Sequence, residues 1–581
     1  MVWKDFAYFG TRDTATLSKE VYREIWDMTN GTVAVDIETV GLLNREPLGI
    51  AFAPNPQDAF YFHIDSDYLP WHVLENPAIT KLFHNGAFDL GVMMEFFDME
   101  IEPVIDSMAA AQLQGLPISL EALSLQLFNI QLTTIESLIG PKGKGQLTMD
   151  QIDPDKVAAK GGQDVLYTYR VWEAIKQNVQ WPVFLLETEY APVLNRMKNL
   201  GLRVDRRRLQ EHKETIGKEV AYYRSLAQGL GFNPGSSKQL AVMLESHGWN
   251  IKRNRTTNNP ILNEQELSTT YKDDPLAALA LNYRQKKVLL STFIEALEKK
   301  HLDGDRIYPD LNQFIVRSGR VSRSKPNTQN IPPNMRDIFI PSEGNIYESW
   351  DLSQIELRIL AYLVWLFTGD YTMQGVFDGG GDIHKATMGF MANYGITIDR
   401  KNSKTVNFGV VYRGTEWTLY QRSGIPLQTG KLFLYTLNQI YPGIEIFFQQ
   451  TRKELYQDGF VSTMLGRRRY FPDLEEALND PELGWLVAKF EREAFNHKIQ
   501  GTAGEDLKRL QIRNADIPQC NTIHDQVVFD IHPTMELNRE SSIALATYRT
   551  PMDVSRGDSW WACDQDENKI LNPNHPTGVW G

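Results

Sequence analysis

Apolar residues in the first 180 positions fall into short runs. Residues 32–37 (TVAVDI) read as a buried strand, 48–53 and 59–63 as further β runs, and 119–128 and 163–178 as helices, which predicts an α/β layout. From about 181 to 310 the pattern turns strongly helical, with long amphipathic stretches at 206–229 and 275–301. Strands return at 345–351 and 519–531, separated by a mostly helical excursion from about 354 to 516. A strand, a long helical insertion and a returning hairpin predict a sheet that gathers distant parts of the chain.

Composition narrows the class without deciding it. A chain of 581 residues is too long for one ordinary core, so about two to four domains are expected. The profile, 42% hydrophobic and 23% charged, is globular, and no run of about 18 apolar residues predicts a membrane span. The first residues (MVWKDFAYFGTRD) lack the pattern of a secretory signal, and Cys520 and Cys563 are too few for a disulfide framework. A reducing, cytoplasmic setting is expected. The net charge of −13 argues on average against a nucleic-acid partner, yet a phosphate channel needs only a local basic surface. Arg317, Arg320, Arg323 and Lys325 form one basic cluster and Arg467, Arg468 and Arg469 another. There are no internal repeats and no low-complexity tracts.

Two constellations of acids carry candidate chemistry. In VAVDIETVG, Asp36 and Glu38 lie two apart on a predicted strand and so project from one face. Like charges that close repel unless a cation sits between them, and hard oxygen ligands suit Mg²⁺ or Mn²⁺. Asn85 and Asp89 in FHNGAFDLGVM would be i,i+4 neighbours on a helix, and Asp164 in GGQDVLYTYRVW opens another helical stretch. Asp36, Glu38, Asp89 and Asp164 together would hold two metal ions about 4 Å apart, an arrangement suited to phosphodiester hydrolysis.

The second constellation lies in the last 270 or so residues. Asp351 ends an apolar strand in WDLSQIELRILAYL, and His524 and Asp525 sit between two β runs in IHDQVVFDI, where a hairpin would turn. Between them, in DRKNSKTVNFGVVYRG, Arg400, Lys404, Phe408 and Tyr412 recur every four residues. On a helix they form one stripe roughly 18 Å long, two cations followed by two aromatic rings. That order suits a nucleotide held lengthwise, with phosphates at the cations and the base at the rings.

These motifs resemble family A DNA polymerases, the group of bacterial polymerase I and several phage replicases, and the resemblance runs from about residue 30 to 565. The acids of the first half resemble the DEDD exonuclease superfamily, with KGKGQLTMDQID (142–153) resembling the stretch before its last motif. The stripe matches RxxxKxxxFxxxY, and RSGRVSRSKPNTQNIPP, TMLGRRRYFPDL and REAFNHKIQGTAGEDL resemble further family segments. The implied fold is an α/β, ribonuclease H-like exonuclease domain (1–180) followed by an α+β right-hand polymerase domain (181–581). Within the latter the thumb would span about 200–310, the palm about 311–365 and 500–581, and the fingers about 366–499.

The implied activity is template-directed DNA synthesis from a primer 3′ end with 3′→5′ proofreading, serving replication. The implied metals are two Mg²⁺ (or Mn²⁺) per site, on Asp351 and Asp525 and on Asp36, Glu38, Asp89 and Asp164. By the same resemblance Arg400, Lys404 and His384 grip the triphosphate, Lys404 donates a proton, and Phe408 and Tyr412 meet the nucleotide. Glu356 blocks a ribose 2′-hydroxyl. Arg320, Asn330, Arg492, Asn496, Gln500 and His524 would face primer–template DNA, with Arg284, Lys286 and Lys287 on duplex phosphates. The implied partners are primer–template DNA, dNTPs and a single-stranded 3′ end, with the protein a monomer and no membrane involved.

Several positions depart from the family. Lys160 stands where Tyr usually orients the attacking water; lysine could hold the water differently, Tyr167 or Tyr169 could substitute, or hydrolysis could be slowed. Trp350 and Leu352 are unusual neighbours for Asp351, Arg413 replaces a Gly, and Gln526 replaces an acid. These suggest a divergent, viral member, and the short stretch before Asp36 suggests a replicase without a 5′-nuclease domain. The rival readings are a polymerase with a weak or dead exonuclease, and a non-catalytic primer–template binding protein.

Overall fold

In the computed structural model, which describes residues 6–9, 31–41, 44–66, 69–143, 145–539 and 550–572, the first half is built on a six-stranded sheet. Its strands are β1 (Phe6–Phe9), β2 (Thr32–Thr39), β3 (Pro47–Ala53), β4 (Ala59–His63), β5 (Thr80–Phe83) and β6 (Val104–Asp106), in the order β1-β4-β3-β2-β5-β6. The β1–β4, β4–β3 and β3–β2 pairs are antiparallel, and β5 and β6 continue in parallel.

Helices cover both faces, which is why β2 reads as a nearly continuous apolar run. Val33, Val35 and Ile37 pack with Leu90, Val92 and Met93 of α1 (Gly86–Phe97) on one face. Ala34 packs on the other with α2 (Pro154–Ile175), whose Ala158 and Val165 share its core. Since side chains alternate along a strand, Asp36 and Glu38 share the Ala34 face and point toward α2. That helix comes close because its residues there are small: a Cβ on Gly161 would lie 3.1 Å from the Tyr61 ring and 3.3 Å from Ala51 Cβ.

Helix α3 (Trp181–Leu200) leads into the second half, packing on both α1 and the long helix Gly484–Arg513. The helical stretch at 206–229 forms as expected. That at 275–301 is α-helical only over Pro275–Val288 and then widens into π-helical turns at Leu289–Ile294 and Leu297–His301. A separate small core (Phe232, Leu240, Leu244, Leu262, Tyr271, Leu276) closes the tip of this region.

The second sheet collects distant segments. Strand β7 (Ile346–Leu352) is central, flanked by β9 (Gln526–Ile531) and β10 (Met552–Gly557), with β8 (Gln519–Ile523) completing the hairpin to β9. The excursion between β7 and β8 contains α4 (Ile355–Thr368), α5 (Ile383–Ala392), α6 (Arg400–Val411) and α7 (Gly484–Arg513). A two-stranded hairpin, Phe460–Ser462 with Arg468–Tyr470, interrupts it. One apolar core joins Trp350 of β7, Leu360 of α4, Val406 of α6, Phe495 of α7 and Val527 of β9.

Candidate active sites

The first acid centre is assembled from three elements. Among the described residues, Asp36 and Glu38 of β2 and Asp164 of α2 have carboxylate oxygens within 4.8 Å of one another. Asp89, in the first turn of α1, accepts a hydrogen bond from the Ile37 amide at 2.9 Å, which ties it to the same strand. Asn85 is the cap of that helix in a left-handed conformation (φ 71°), not a member of it as the i,i+4 expectation had it. The turn is held by Asp106, which the sequence did not single out: it accepts from the Asn85 and Gly86 amides at 3.1 and 2.8 Å.

Lys160 lies one helical turn before Asp164 and is 6% exposed. Its Nζ donates to Glu38 Oε1 at 3.3 Å and to Asp164 Oδ2. Burial, with repulsion from neighbouring acids, pushes the Asp36 and Asp164 carboxyls up to about 7, and Glu38 and Asp89 shift in the same direction. Acids that resist ionising together, Glu38 and Asp89 buried and Asp36 and Asp164 half-buried, with three of them offering hard oxygens within a few ångströms, fit a divalent cation. Tyr167 packs on Phe128, and Tyr169 is buried with Glu173 as its charged neighbour. The tyrosine near the acids is Tyr61 of β4, whose hydroxyl is held protonated by burial and by Glu38 and Asp36.

The second centre lies at one end of the central strand β7, beside the turn between β8 and β9. Asp351 is opposite Gln526 and Asp553 in the two flanking ladders, and the Leu352 amide donates to the Asp525 carbonyl at 3.0 Å. Asp525 occupies the tight turn between β8 and β9, after His524 at φ 52°. Partial desolvation and Asp525, Asp553 and Asp564 together push the Asp351 carboxyl up to about 7; burial pushes Asp525 up to about 6 against the pull of Arg320. This oxygen-rich pair also fits divalent ions. Asp553 and Asp564 were not anticipated; Asp553 lies in the sheet beside Asp351, and Asp564 follows the short helix Trp560–Cys563, where the Gln526 amide donates to it at 3.3 Å.

Helix α6 presents three residues of the predicted stripe and Tyr412 follows it in the turn just past Val411: Arg400 and Lys404 are exposed, and Phe408 and Tyr412 are half-buried with stacked rings 6.5 Å apart. A chain of contacts joins the stripe to the acids. The Tyr412 hydroxyl donates to Glu356 Oε2 at 2.8 Å, and Arg320 Nη2 donates to Glu356 Oε1 at 2.6 Å and to Asp525 Oδ1 at 3.1 Å. At the other end Arg400 pairs with Asp382 at 2.8 Å, the residue that caps α5 beside His384. His384 is buried against Asn407 (3.0 Å), and burial, with Arg400 and Lys404 nearby, lowers its pKa to about 4. Arg413 takes a left-handed φ of 50°, a conformation that glycine adopts without strain, and is held there by Glu445 (2.9 Å) and the Phe448 ring.

Arg492, Asn496 and Gln500 share one face of α7, and Asn496 Oδ1 is buried with no hydrogen-bond partner among the described residues. Asn330 ends a short 3₁₀ turn (Thr328–Asn330) and lines a 280 Å³ cavity with Lys325, Asn327 and Phe293. Arg320 and His524 line a second cavity of 160 Å³ with Tyr190 and Gln511.

The basic clusters are less available than their sequence suggests. Arg323 is buried on Thr328 and Asn521, and Arg467 is buried between Glu187 and Glu505, with Lys508 on the same glutamate. Arg469 pairs with Glu493 at 2.6 Å. Arg284, expected on duplex phosphates, instead donates to the Pro234 and Leu262 carbonyls, and Lys286 pairs with Glu219 at 2.6 Å. Linear clustering did not reveal which cations the fold turns inward.

Two acid centres, one in a mixed sheet sandwiched by helices and one on an antiparallel sheet facing a nucleotide-length stripe, define a two-domain nucleic-acid enzyme fold. Residues 205–549 match DNA polymerase family A, and residues 11–180 match a 3′-5′ exonuclease family. The chain belongs to DNA polymerase family A, with an exonuclease domain preceding the polymerase domain. It is 32% identical over 471 residues to DNA polymerase I of Chloroflexus aurantiacus, an alignment covering 75% of this chain and 48% of that protein. It is 26% identical over 589 residues to DNA polymerase I of Pseudomonas aeruginosa, covering 90% and 62%. The chain thus spans about half to two thirds of the length of these relatives. The POL domain of Pol1 from M. smegmatis, solved in complex with DNA primer-template and dNTP, superposes with a TM-score of 0.78 at 20% identity, covering 94% of this chain and 99% of that one, and so shares the fold. Among the described residues, no helix is long and apolar enough to cross a membrane.

Proposed function

We propose that this chain extends a DNA primer along a template with dNTPs and removes mispaired nucleotides from the primer 3′ end. The observation that carries the reading is the unbroken contact path Tyr412–Glu356–Arg320–Asp525, which sets the nucleotide-length stripe against the acid pair. Synthesis would occupy residues 181–581, with a thumb over about 200–310, a palm over about 311–365 and 500–581 and fingers over about 366–499; excision would occupy residues 1–180.

Arg400 and Lys404 hold the triphosphate, and Lys404 gives a proton to the departing pyrophosphate as the primer 3′ oxygen attacks the α-phosphorus. Phe408 and Tyr412 present ring faces to the incoming nucleotide. Glu356 is fixed on both oxygens, by Arg320 and by Tyr412, and so stands rigidly where a 2′-hydroxyl would need room. Arg320 and Gln500 test pair geometry in the minor groove, where correct pairs present similar acceptors. His384, kept neutral, hydrogen-bonds phosphate without adding charge. Asp351 and Asp525, and the acids of the first centre, would hold divalent ions such as Mg²⁺, which would supply charge neutralisation and acidify the attacking oxygen.

The test is extension of a labelled primer by the wild type, Asp351→Ala and Asp36→Ala with Mg²⁺ and four dNTPs. Full-length product lost only in Asp351→Ala, with shortening of a mismatched primer lost only in Asp36→Ala, is expected. A wild type that neither extends nor shortens with any divalent metal overturns the proposal in favour of a binding role.

A further inference from the structure

Lys160 puts a positive charge inside the first acid centre, and the packing leaves it nowhere else to go. Its stem starts one turn before Asp164 on the same helix face, where α2 is pressed onto the sheet at Gly161, against Tyr61 and Ala51. Its Nζ bonds Glu38 Oε1 at 3.3 Å and Asp164 Oδ2, two of the three acids whose oxygens cluster within 4.8 Å. Asp89 does not share the lysine; it is engaged by the Ile37 amide. An ion coordinated by both Glu38 and Asp164 would lie within about 4 Å of the ammonium, since metal–oxygen bonds are about 2.1 Å. At that distance, in a site nearly closed to water, the repulsion is weakly screened. Releasing the lysine would instead leave a buried ammonium without its two partners.

We propose that the Lys160 ammonium is a built-in cation that stands in for one of two divalent ions, so that the excision site takes a single divalent cation. The remaining cation is held on the Asp36–Asp89 side. The charge balance agrees: four carboxylates are met by one monovalent and one divalent charge, leaving a site still attractive to metal but less so than one without the lysine. The proposal rests on the reading of this domain as a metal-dependent exonuclease.

The test is a Mn²⁺ titration followed by the loss of the free-ion EPR signal. It uses the full chain carrying Asp351→Asn and Asp525→Asn, so that ions at the polymerase centre are removed from the count. With Lys160 present, one ion that disappears on Asp36→Ala is expected; in Lys160→Met the count rises to two. Two ions with Lys160 in place overturn the proposal while leaving the exonuclease reading intact. No ion sensitive to Asp36→Ala in either background overturns that reading along with it. The count in the lysine-containing protein decides even if Lys160→Met fails to fold, and Lys160→Gln, uncharged but polar, provides the second variant.

Discussion

In the first centre the counter-charge belongs to the site: Lys160 is buried one turn from Asp164, among the acids it neutralises. In the second, Asp351 and Asp525 meet Arg320, which arrives from a loop and is also bonded to Glu356 and, through it, to Tyr412 of the stripe. The acids of the first centre are enclosed between sheet and helix; Asp351 is exposed at the end of its strand. Arg320 belongs to a network that reaches Tyr412 through Glu356, whereas Lys160 is packed under a helix with its two acids. The comparison separates a site whose counter-cation is packed in place on folding from one whose counter-cation is shared with a network of neighbouring side chains.

The largest expected effect tests whether the stripe serves only the second centre. Lys404→Met should slow primer extension by about 10²–10⁴-fold through loss of the proton donor and leave excision of a mismatched 3′ end unchanged. Single-turnover assays of both activities check this; an equal loss in both would erase the distinction.

What joins the regions gives the next prediction. Glu187, fully buried on α3, receives both Arg467 and Lys508, and α3 packs on helices of either half. Glu187→Ala leaves two buried cations without their shared partner, a loss of about 3–5 kcal/mol when such pairs are broken. Denaturant unfolding with probes in each half should show both transitions shifted. A shift confined to the polymerase half would mean that α3 does not couple them.

The smallest effect concerns pH. His384 titrates near 4 in the folded protein against 6.5 ordinarily, so the unfolded chain binds the proton first. Stability from this residue is present above about pH 6.5 and is lost as pH falls toward 4; His384→Asn should flatten that part of a pH–stability curve. The raised carboxyls of the first centre act with the opposite sign, their contribution being lost as pH rises through about 7 in metal-free protein. A steeper acid loss in His384→Asn than in the wild type would refute the assignment.

Much of both centres was legible because their residues sit at fixed periods on single elements. The two-residue step between Asp36 and Glu38 and the four-residue steps of the stripe need only local geometry. Asp553, Asp564, Tyr61 and Asp106 escaped notice because each reaches its centre across a sheet or a turn, with no local spacing to announce it. The strand Met552–Gly557 was missed for a related reason: it reads as a strand only once β7 offers it a partner. The basic clusters misled in the other direction. Arg323, Arg467 and Arg284 look like phosphate contacts in one dimension and are internal ties in three.

The sequence by itself determined the two-part organisation, the strands and helices that bear the acids, and the stripe of cations and rings, since periodicity within one element survives any tertiary arrangement. Only the tertiary structure decided which charges meet. Lys160 with Glu38 spans 122 residues and Arg320 with Asp525 spans 205. Which cation neutralises which acid is an electrostatic question settled at a few ångströms, and separation along the chain carries no record of it.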